Sequence, residues 1–425
     1  MTLRMPRRLK ATGQCAIAAA WLLHATAFAA PPLPVLADFP QPGLGPAQLG
    51  VIVNDDDPDS VAIAAYYREK RGIPAANLIH VRFRPARPAL TRAEFVDIKR
   101  LVDRKTPTSV QAYALTWTQP YRVDCMSITS AFAFGFNLAY CASTCKPTRP
   151  SPYFNSNAAR PWTTYRMRPT MSLAAPSVAD AKKLIDRGVA ADGSDPSGTA
   201  YLVSTSDKNR NVRAAGYPAV RALMQPVFST EIVEANALEN KSDVMFYFTG
   251  LPRVPMLDSN RFLPGAIADH LTSLGGVLSW GGQMTSLAWV GAGATGSYGT
   301  VVEPCNFAAK FPVPGVVMAH YLQGESLIEA YWKSVQMPGQ GLFIGEPLAR
   351  PFAGVRHRAR SGELTLSARL LPPGLYDVQA APSLVGPYRN VGRVAVAWGT
   401  REIRLDHVPP AYYRFERRAD PAPAR

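Results

Sequence analysis

The chain has 425 residues, 47% of them hydrophobic, and 46 Lys and Arg against 31 Asp and Glu, for a formal net charge of +15. That length and apolar content exclude a disordered or fibrous protein and exceed what one typical domain needs. The positive charges are dispersed, with only 414–418 (RFERR) forming a run, so no basic stripe for nucleic acid is present; the excess suits an anionic surface as partner, or serves solubility alone, the reading that dispersed charge favours.

Residues 1–29 read as a signal peptide. Arg4, Arg7, Arg8 and Lys10 form a basic start, 16–28 is apolar, and Ala27-Phe28-Ala29 has the small-x-small form of a cleavage site. A retained anchor is the alternative, but the apolar stretch is short for a membrane span and Pro31 and Pro32 follow at once. Cleavage removes four positive charges, lowering +15 to about +11. The protein is expected to be exported to the periplasm or beyond, to lack an integral membrane segment, and not to meet nucleic acid.

The main body, 30–355, alternates strand and helix. Strands are expected at 50–54 (GVIVN), 78–83 (LIHVRF) and 112–117 (AYALTW), with helices at 59–71 and 95–104. A long segment at about 118–174, rich in Pro, Ser, Asn and aromatics, reads as an irregular insertion passing over one edge of the sheet. Beyond it come a helix at 179–188, strands at 200–205 and 244–248, a helix at 266–274, strands at 276–280 and 294–301, and helices at 315–322 and 326–335. Continuously apolar strands separated by helices give an α/β fold class, a mainly parallel sheet with helices on both faces. After Pro351 short alternating runs split by Pro and Gly predict a small all-β, sandwich-like domain at 362–418, followed by a disordered tail, 419–425.

Cys125, Cys141, Cys145 and Cys305 remain after cleavage, an even number that suits two bridges in an oxidising compartment. The expected pairs are Cys141 with Cys145, across the short CASTC loop, and Cys125 with Cys305. The alternative is a zinc site of Cys125, Cys141, Cys145 and a histidine. The run 281–307, GGQMTSLAWVGAGATGSYGTVVEPCNF, is dense in small residues and is expected to hold a site where backbone approaches backbone or a ligand.

Several residues are candidates for chemistry. Asp55, Asp57 and Asp207 would supply carboxylates to a divalent cation such as calcium, although Asp57 and Asp59 equally suit the cap of the following helix; no other cofactor is expected. His270 with Cys305 would make a cysteine nucleophile and base, and Glu303 a carboxylate catalyst; the bland readings are a packed histidine and a bridged cysteine. Glu325 and Glu329, four apart on one helix, read as a solvated face, and His80 and His320 as packing histidines. Trp117 and Tyr121, with Tyr113, Trp280 and Trp289, would line a sugar-binding groove unless they belong to the core. Thr249, Gln283 and Ser286 complete the expected ligand-binding set.

The stretches VNDDDPDSVAIAAYY, ALTWTQPYRVDCMSITSAFAFGF, SPYFNS, LIDRGVAADG, AYLVSTSD, GATGSYGTVVEPCNF and GESLIEAYWKSVQMPGQGLFIGEPLARPF resemble a bacterial family found in genomes that encode exosortase, the enzyme of the PEP-CTERM sorting system. The resemblance spans about 51–352 and implies a role at the envelope or exopolysaccharide matrix, with an anionic polysaccharide or envelope component as partner. The C-terminal residues show neither a Pro-Glu-Pro motif nor an apolar tail, so it implies an accessory of that system and not its cargo. A fainter resemblance is to the gingipain and caspase-like cysteine peptidases, whose strand ending in Gly-His-Gly corresponds to 244–248 and whose next strand, ending near the nucleophilic Cys, corresponds to 276–280. Gly345-Glu346-Pro347 matches the closing turn. Thr249 stands where that family has histidine, and Gln283 and Ser286 lie where it has cysteine, so the family dyad is missing. The readings in play are therefore a binding or accessory protein without a dyad, a hydrolase centred on 281–307, and a structural envelope component docked through its β domain.

Overall fold

The computed structural model describes residues 31–39, 43–142, 145–279, 282–367 and 372–418. The expected leader, the expected disordered tail and Trp280 lie outside the described residues.

The chain opens with β1 (Val35–Asp38), β2 (Leu49–Asn54), α1 (Pro58–Arg71), β3 (Leu78–Val81), β4 (Ala89–Leu90), α2 (Arg92–Lys105) and β5 (Ala112–Leu115). The short β6 (Arg122–Val123) and β7 (Met126–Ser127) lead into α3 (Ile128–Phe134), α4 (Pro161–Tyr165), β8 (Thr170–Ser172) and α5 (Val178–Ala191). Next come β9 (Thr199–Ser204), α6 (Tyr217–Met224), β10 (Ser229–Glu234), β11 (Val244–Thr249) and β12 (Phe262–His270). The unit closes with α7 (Ser286–Ala292), β13 (Gly296–Thr300), α8 (Pro314–Leu322), α9 (Leu327–Ser334) and β14 (Gly341–Gly345). Local chemistry sets the ends. Asp57 caps α1 by accepting from Asp59 N, Pro58 opens the helix, and Gly72 closes it in the left-handed region at φ 62°. Thr91 and Glu94 form a capping box on α2.

Ten strands form one sheet in the order β10-β9-β11-β12-β13-β14-β8-β5-β2-β3. Neighbours are parallel within β10-β9-β11-β12-β13 and within β8-β5-β2-β3. β14 joins the two groups, antiparallel to β13 over five residue pairs and touching β8 with Ile344 opposite Ser172. Side chains alternate across the sheet, as strand geometry requires. Val51 and Val53 enter one core with α1, α8 and α9, while Ile52 enters the other with α2 and α3. The α/β class with helices on both faces stands as expected from the continuous apolar strands.

Three expectations about elements are corrected. Residues 266–274 do not form a helix, because 262–270 is β12, a central strand whose Ala266 and Ala268 pack towards Trp289 and whose Ile267 packs on the opposite face. Burial on both faces overrides the helix preference of its alanines. Residues 276–279 are not a strand but an irregular connection, with Gly276 N bonded to Thr300 O. The segment 118–174 does not skirt an edge of the sheet. It forms α3 and α4 and then delivers β8 to the interior, between β5 and β14.

The C-terminal strands are β15 (Arg356–Arg360), β16 (Glu363–Ser367), β17 (Gly374–Ala381), β18 (Arg389–Val396), β19 (Glu402–Asp406) and β20 (Tyr412–Arg417). They make two facing sheets, β15-β16-β19 and β1-β20-β17-β18, around a shared core that includes Leu364, Tyr376 and Phe415. The fourth strand of the larger sheet comes from the other end of the chain: β1 adds parallel to β20, and Phe39 stacks on Tyr376 at 5.2 Å. The unit is anchored on the main domain where Arg401 donates to the carbonyls of Pro226 and Val227.

Candidate functional site

The loops leaving the carboxyl ends of β9, β12 and β13 enclose a cleft of about 410 Å³ lined by Cys145, Asn209, Arg210, Leu271, Thr272, Ser273, Glu303, Cys305 and Asn306. In parallel sheets such loop ends are where ligands bind. One wall is a tight turn after β9. Asp207 accepts from the backbone N of Asn209 and Arg210 and pairs with the Arg210 guanidinium at 2.9 Å. Arg210 Nε donates to Thr272 Oγ1 (3.2 Å), which donates to Gln283 Oε1 (2.8 Å), and Leu274 N donates to the same oxygen. Gln283 thus ties the floor of the cleft to the glycine-rich connection. Gly250 permits the close approach beneath, since a Cβ there would stand 1.9 Å from Arg210 O.

The other wall is the segment after β13. Glu303 is exposed, and its carboxylate accepts from Cys305 N at 2.7 Å. Cys305 is bonded to Cys145, and Cys125 to Cys141. This pairing corrects the expected one. The four-residue separation of Cys141 and Cys145 looked like a ready loop, but each bridges to a different segment: Cys125 beside β7 takes Cys141, and Cys145 crosses to the cleft wall. The bridged cysteines likewise replace the zinc alternative. Lys310 lies behind this wall with its Nζ buried, without a hydrogen-bond partner, 5.2 Å over the Phe307 ring. Burial holds its ammonium below the ordinary lysine range, against the pull of Glu303.

Beneath the cleft the core carries charge. Arg213 donates to Asp269 Oδ1 at 2.6 Å and to the carbonyls of Thr249 and Pro312, with both partners of the ion pair buried. Burial pushes the Asp269 carboxyl up, opposed chiefly by the Arg213 guanidinium. Asp269 and His270 point to opposite faces of β12, as adjacent strand residues must. His270 is fully buried: Trp289 Nε1 donates to its Nδ1 at 2.8 Å, so the proton sits on Nε2, which donates to Met284 O at 3.1 Å. Burial pushes its pKa down to about 3. His270 and Cys305 therefore do not form a catalytic pair, because the ring is locked neutral and the sulfur is bridged. Thr249 is buried with its Oγ1 unpartnered, and Ser286 is buried with its hydroxyl donating to Gly275 O.

The remaining expected residues are placed elsewhere. Trp117 and Tyr121 are 2% and 3% exposed, with Trp117 Nε1 bonded to Pro120 O and Tyr121 Oη to Ser279, so both pack in the core, and Trp117 also lines a second crevice. Tyr113 and Trp289 are wholly buried. Asp55 pairs with His80, which is exposed and not packed, and Asp57 caps α1. Asp207 serves the cleft turn. Among the described residues no group of three or more His, Cys, Asp or Glu side chains is arranged to hold a metal ion. Glu325 and Glu329 are not a solvated face. Glu325 pairs with the buried Lys333 at 2.7 Å and His320 at 3.1 Å, and Glu329 accepts from Ser326 N and Leu44 N. Glu346 is buried against Arg71 and Tyr67. A second crevice of about 510 Å³, reached by Asp57, Asp59, Gln119, Ser177, Leu278 and Leu287, opens at the carboxyl ends of β2, β5 and β8.

Sequence reasoning missed Arg210, Thr272 and Asn209. The available signal was the Asp207–Arg210 spacing directly after a buried strand.

The fold is similar to that of the complex of the pro- and mature domains of RgpB from Porphyromonas gingivalis, with a TM-score of 0.42 and 8% identity over 87% of this chain and 99% of that one. It is similar to the same degree to a solved chain described as a protease, with a TM-score of 0.42 and 10% identity over 88% of this chain and 97% of that one. No family model matches the sequence. No curated protein matches it either.

Proposed function

We propose that the chain is an exported, envelope-associated binding or accessory protein that takes its ligand in the cleft beside β12 and performs no cysteine–histidine chemistry. The observation that carries this reading is the Cys145–Cys305 bridge in the cleft wall, together with a histidine whose two ring nitrogens are both spent inside the core. A nucleophilic sulfur must be a thiolate within reach of a base, and here neither condition is met. Two disulfides suit an oxidising compartment, and the basic, apolar start of the chain suits export. No helix among the described residues is long and apolar enough to cross a membrane. The link to exosortase systems rests on the shared sequence stretches alone.

The cleft is lined by the polar side chains of Asn209, Thr272, Ser273 and Asn306, the Arg210 guanidinium, which Asp207 pairs, the Glu303 carboxylate, and the apolar Leu271 beside the Cys145–Cys305 bridge. Such a surface suits a hydroxyl-rich ligand carrying a carboxylate, as in an acidic polysaccharide. Titration with polygalacturonate oligomers tests this. Binding that weakens with salt and falls roughly tenfold in Arg210→Ala is the expected result. Absence of binding together with peptide hydrolysis abolished by Cys305→Ser would overturn it.

The second reading, a carboxylate-based hydrolase, is favoured only by the exposed Glu303 in the same cleft. Glycan cleavage lost in Glu303→Gln would establish it.

A further inference from the structure

Four exposed apolar side chains of the β-sandwich gather at one of its ends, with Leu375 at the other. β17 and β18 are joined by the turn 382–388, in which Leu384 and Val385 are 62% and 91% exposed, and Val391 just beyond is 58% exposed. The turn is closed, with Gly386 N donating to Ser383 O (3.0 Å), Ser383 Oγ to Gly386 O (2.7 Å) and Tyr388 Oη to Leu384 O (3.0 Å). These bonds hold two aliphatic side chains out in water, where their burial energy is forfeited. Strand register brings Leu33, also exposed, to the same end. β1 is parallel to β20 with Val35 opposite Tyr412, and Tyr412 stands opposite Ala381, the last residue of β17.

The charge at this end is mainly positive. The stretches 31–37, 382–393 and 407–413 hold no acidic residue, and Asp38 stands opposite Arg414 one step further in. Arg389 is exposed there, and the Arg414 guanidinium lies 4.2 Å over the Tyr388 ring. Arg393 is already paired with Asp377. Across 352–418 the chain has eleven arginines, no lysine and five acids, a net of 11 − 5 = +6. Guanidinium forks match phosphate oxygens, and aliphatic side chains beside them need an apolar phase that a polysaccharide does not offer.

We propose that this end of the sandwich docks on an anionic lipid surface, with Leu384 and Val385 entering the interface and Arg389 and Arg414 contacting lipid phosphates. Two aliphatic side chains and a few arginines give reversible, salt-sensitive attachment, not insertion. The attachment does not depend on what the cleft binds.

The test is co-sedimentation of the full chain without residues 1–29 with vesicles of phosphatidylethanolamine and phosphatidylglycerol, and with phosphatidylcholine alone. Binding to the anionic vesicles is expected, at least about tenfold weaker in Leu384→Ser/Val385→Ser and weakened in Arg389→Glu. Melting and polygalacturonate binding are expected to be unchanged in both variants, since the substituted side chains are exposed and outside the cleft. Absence of vesicle binding, equal binding to phosphatidylcholine, or equal binding by the Leu384/Val385 variant overturns the proposal. Self-association that the same variant abolishes, without vesicle binding, overturns it in favour of a protein contact.

Discussion

His270 shows how a single environment converts a reactive side chain into a structural one. Trp289 and the Met284 carbonyl hold the neutral ring, and burial keeps its pKa near 3. The unfolded chain takes up that proton at the ordinary value of 6.5, so the stability owed to the neutral ring is complete above 6.5 and is lost as pH falls toward 3. The slope reaches at most about 1.4 kcal/mol per pH unit. His270→Gln should flatten the fall of urea midpoint between pH 6 and 4; an unchanged slope would show that the ring is not held neutral. A neighbouring test concerns the buried Arg213–Asp269 pair. Asp269→Asn leaves the guanidinium uncompensated and should cost about 3–5 kcal/mol, while Arg213→Met/Asp269→Leu, which removes both charges, should cost less. Urea unfolding of the single and double variants decides it, and a double variant as unstable as the single one would contradict the account.

Among the elements, β13 explains the density of small residues that marks 281–307. A Cβ on Gly299 would stand 2.3 Å from the Gly275 carbonyl carbon, and one on Gly296 would meet Leu327 and Tyr331 at 2.8–3.0 Å. Gly291, inside α7, meets nothing within 4 Å. Gly299→Ala should therefore destabilise by more than about 2 kcal/mol, whereas Gly291→Ala should stabilise by about 0.5–1 kcal/mol, both read from urea midpoints. The glycines were legible as close approach, but sequence could not say that the approach is to backbone and not to a ligand. β2, β9 and β11 were legible because their apolar runs are continuous. β12 was not, because Ala266 and Ala268, with Leu271 and Leu274 just beyond, are good helix formers and only the faces the strand contacts settle it. β8 is three residues long and carries no period. The buried Glu325 and Glu329 were misread for a related reason. Sequence spacing cannot show that Lys333 and Ser326 meet them inside the core.

At the scale of the whole molecule, the Cys145–Cys305 bridge joins segments 160 residues apart and fixes one wall of the cleft. Pairings between such distant segments leave no trace in local spacing, which is why four cysteines gave the right number of bridges and the wrong partners. Closing so long a loop stabilises mainly by restricting the unfolded chain, so Cys145→Ser/Cys305→Ser should lose about 2–4 kcal/mol, visible as a lower melting temperature, and should gain no peptidase activity. The central claim, that the cleft has no thiol to react, is tested most directly by alkylating the exported protein, native and denatured, and mapping its bridged peptides. The account predicts no alkylation of Cys125, Cys141, Cys145 or Cys305 in either state, with Cys145 recovered joined to Cys305. Rapid alkylation of a free Cys305 near neutral pH would contradict it and return cysteine chemistry to this cleft.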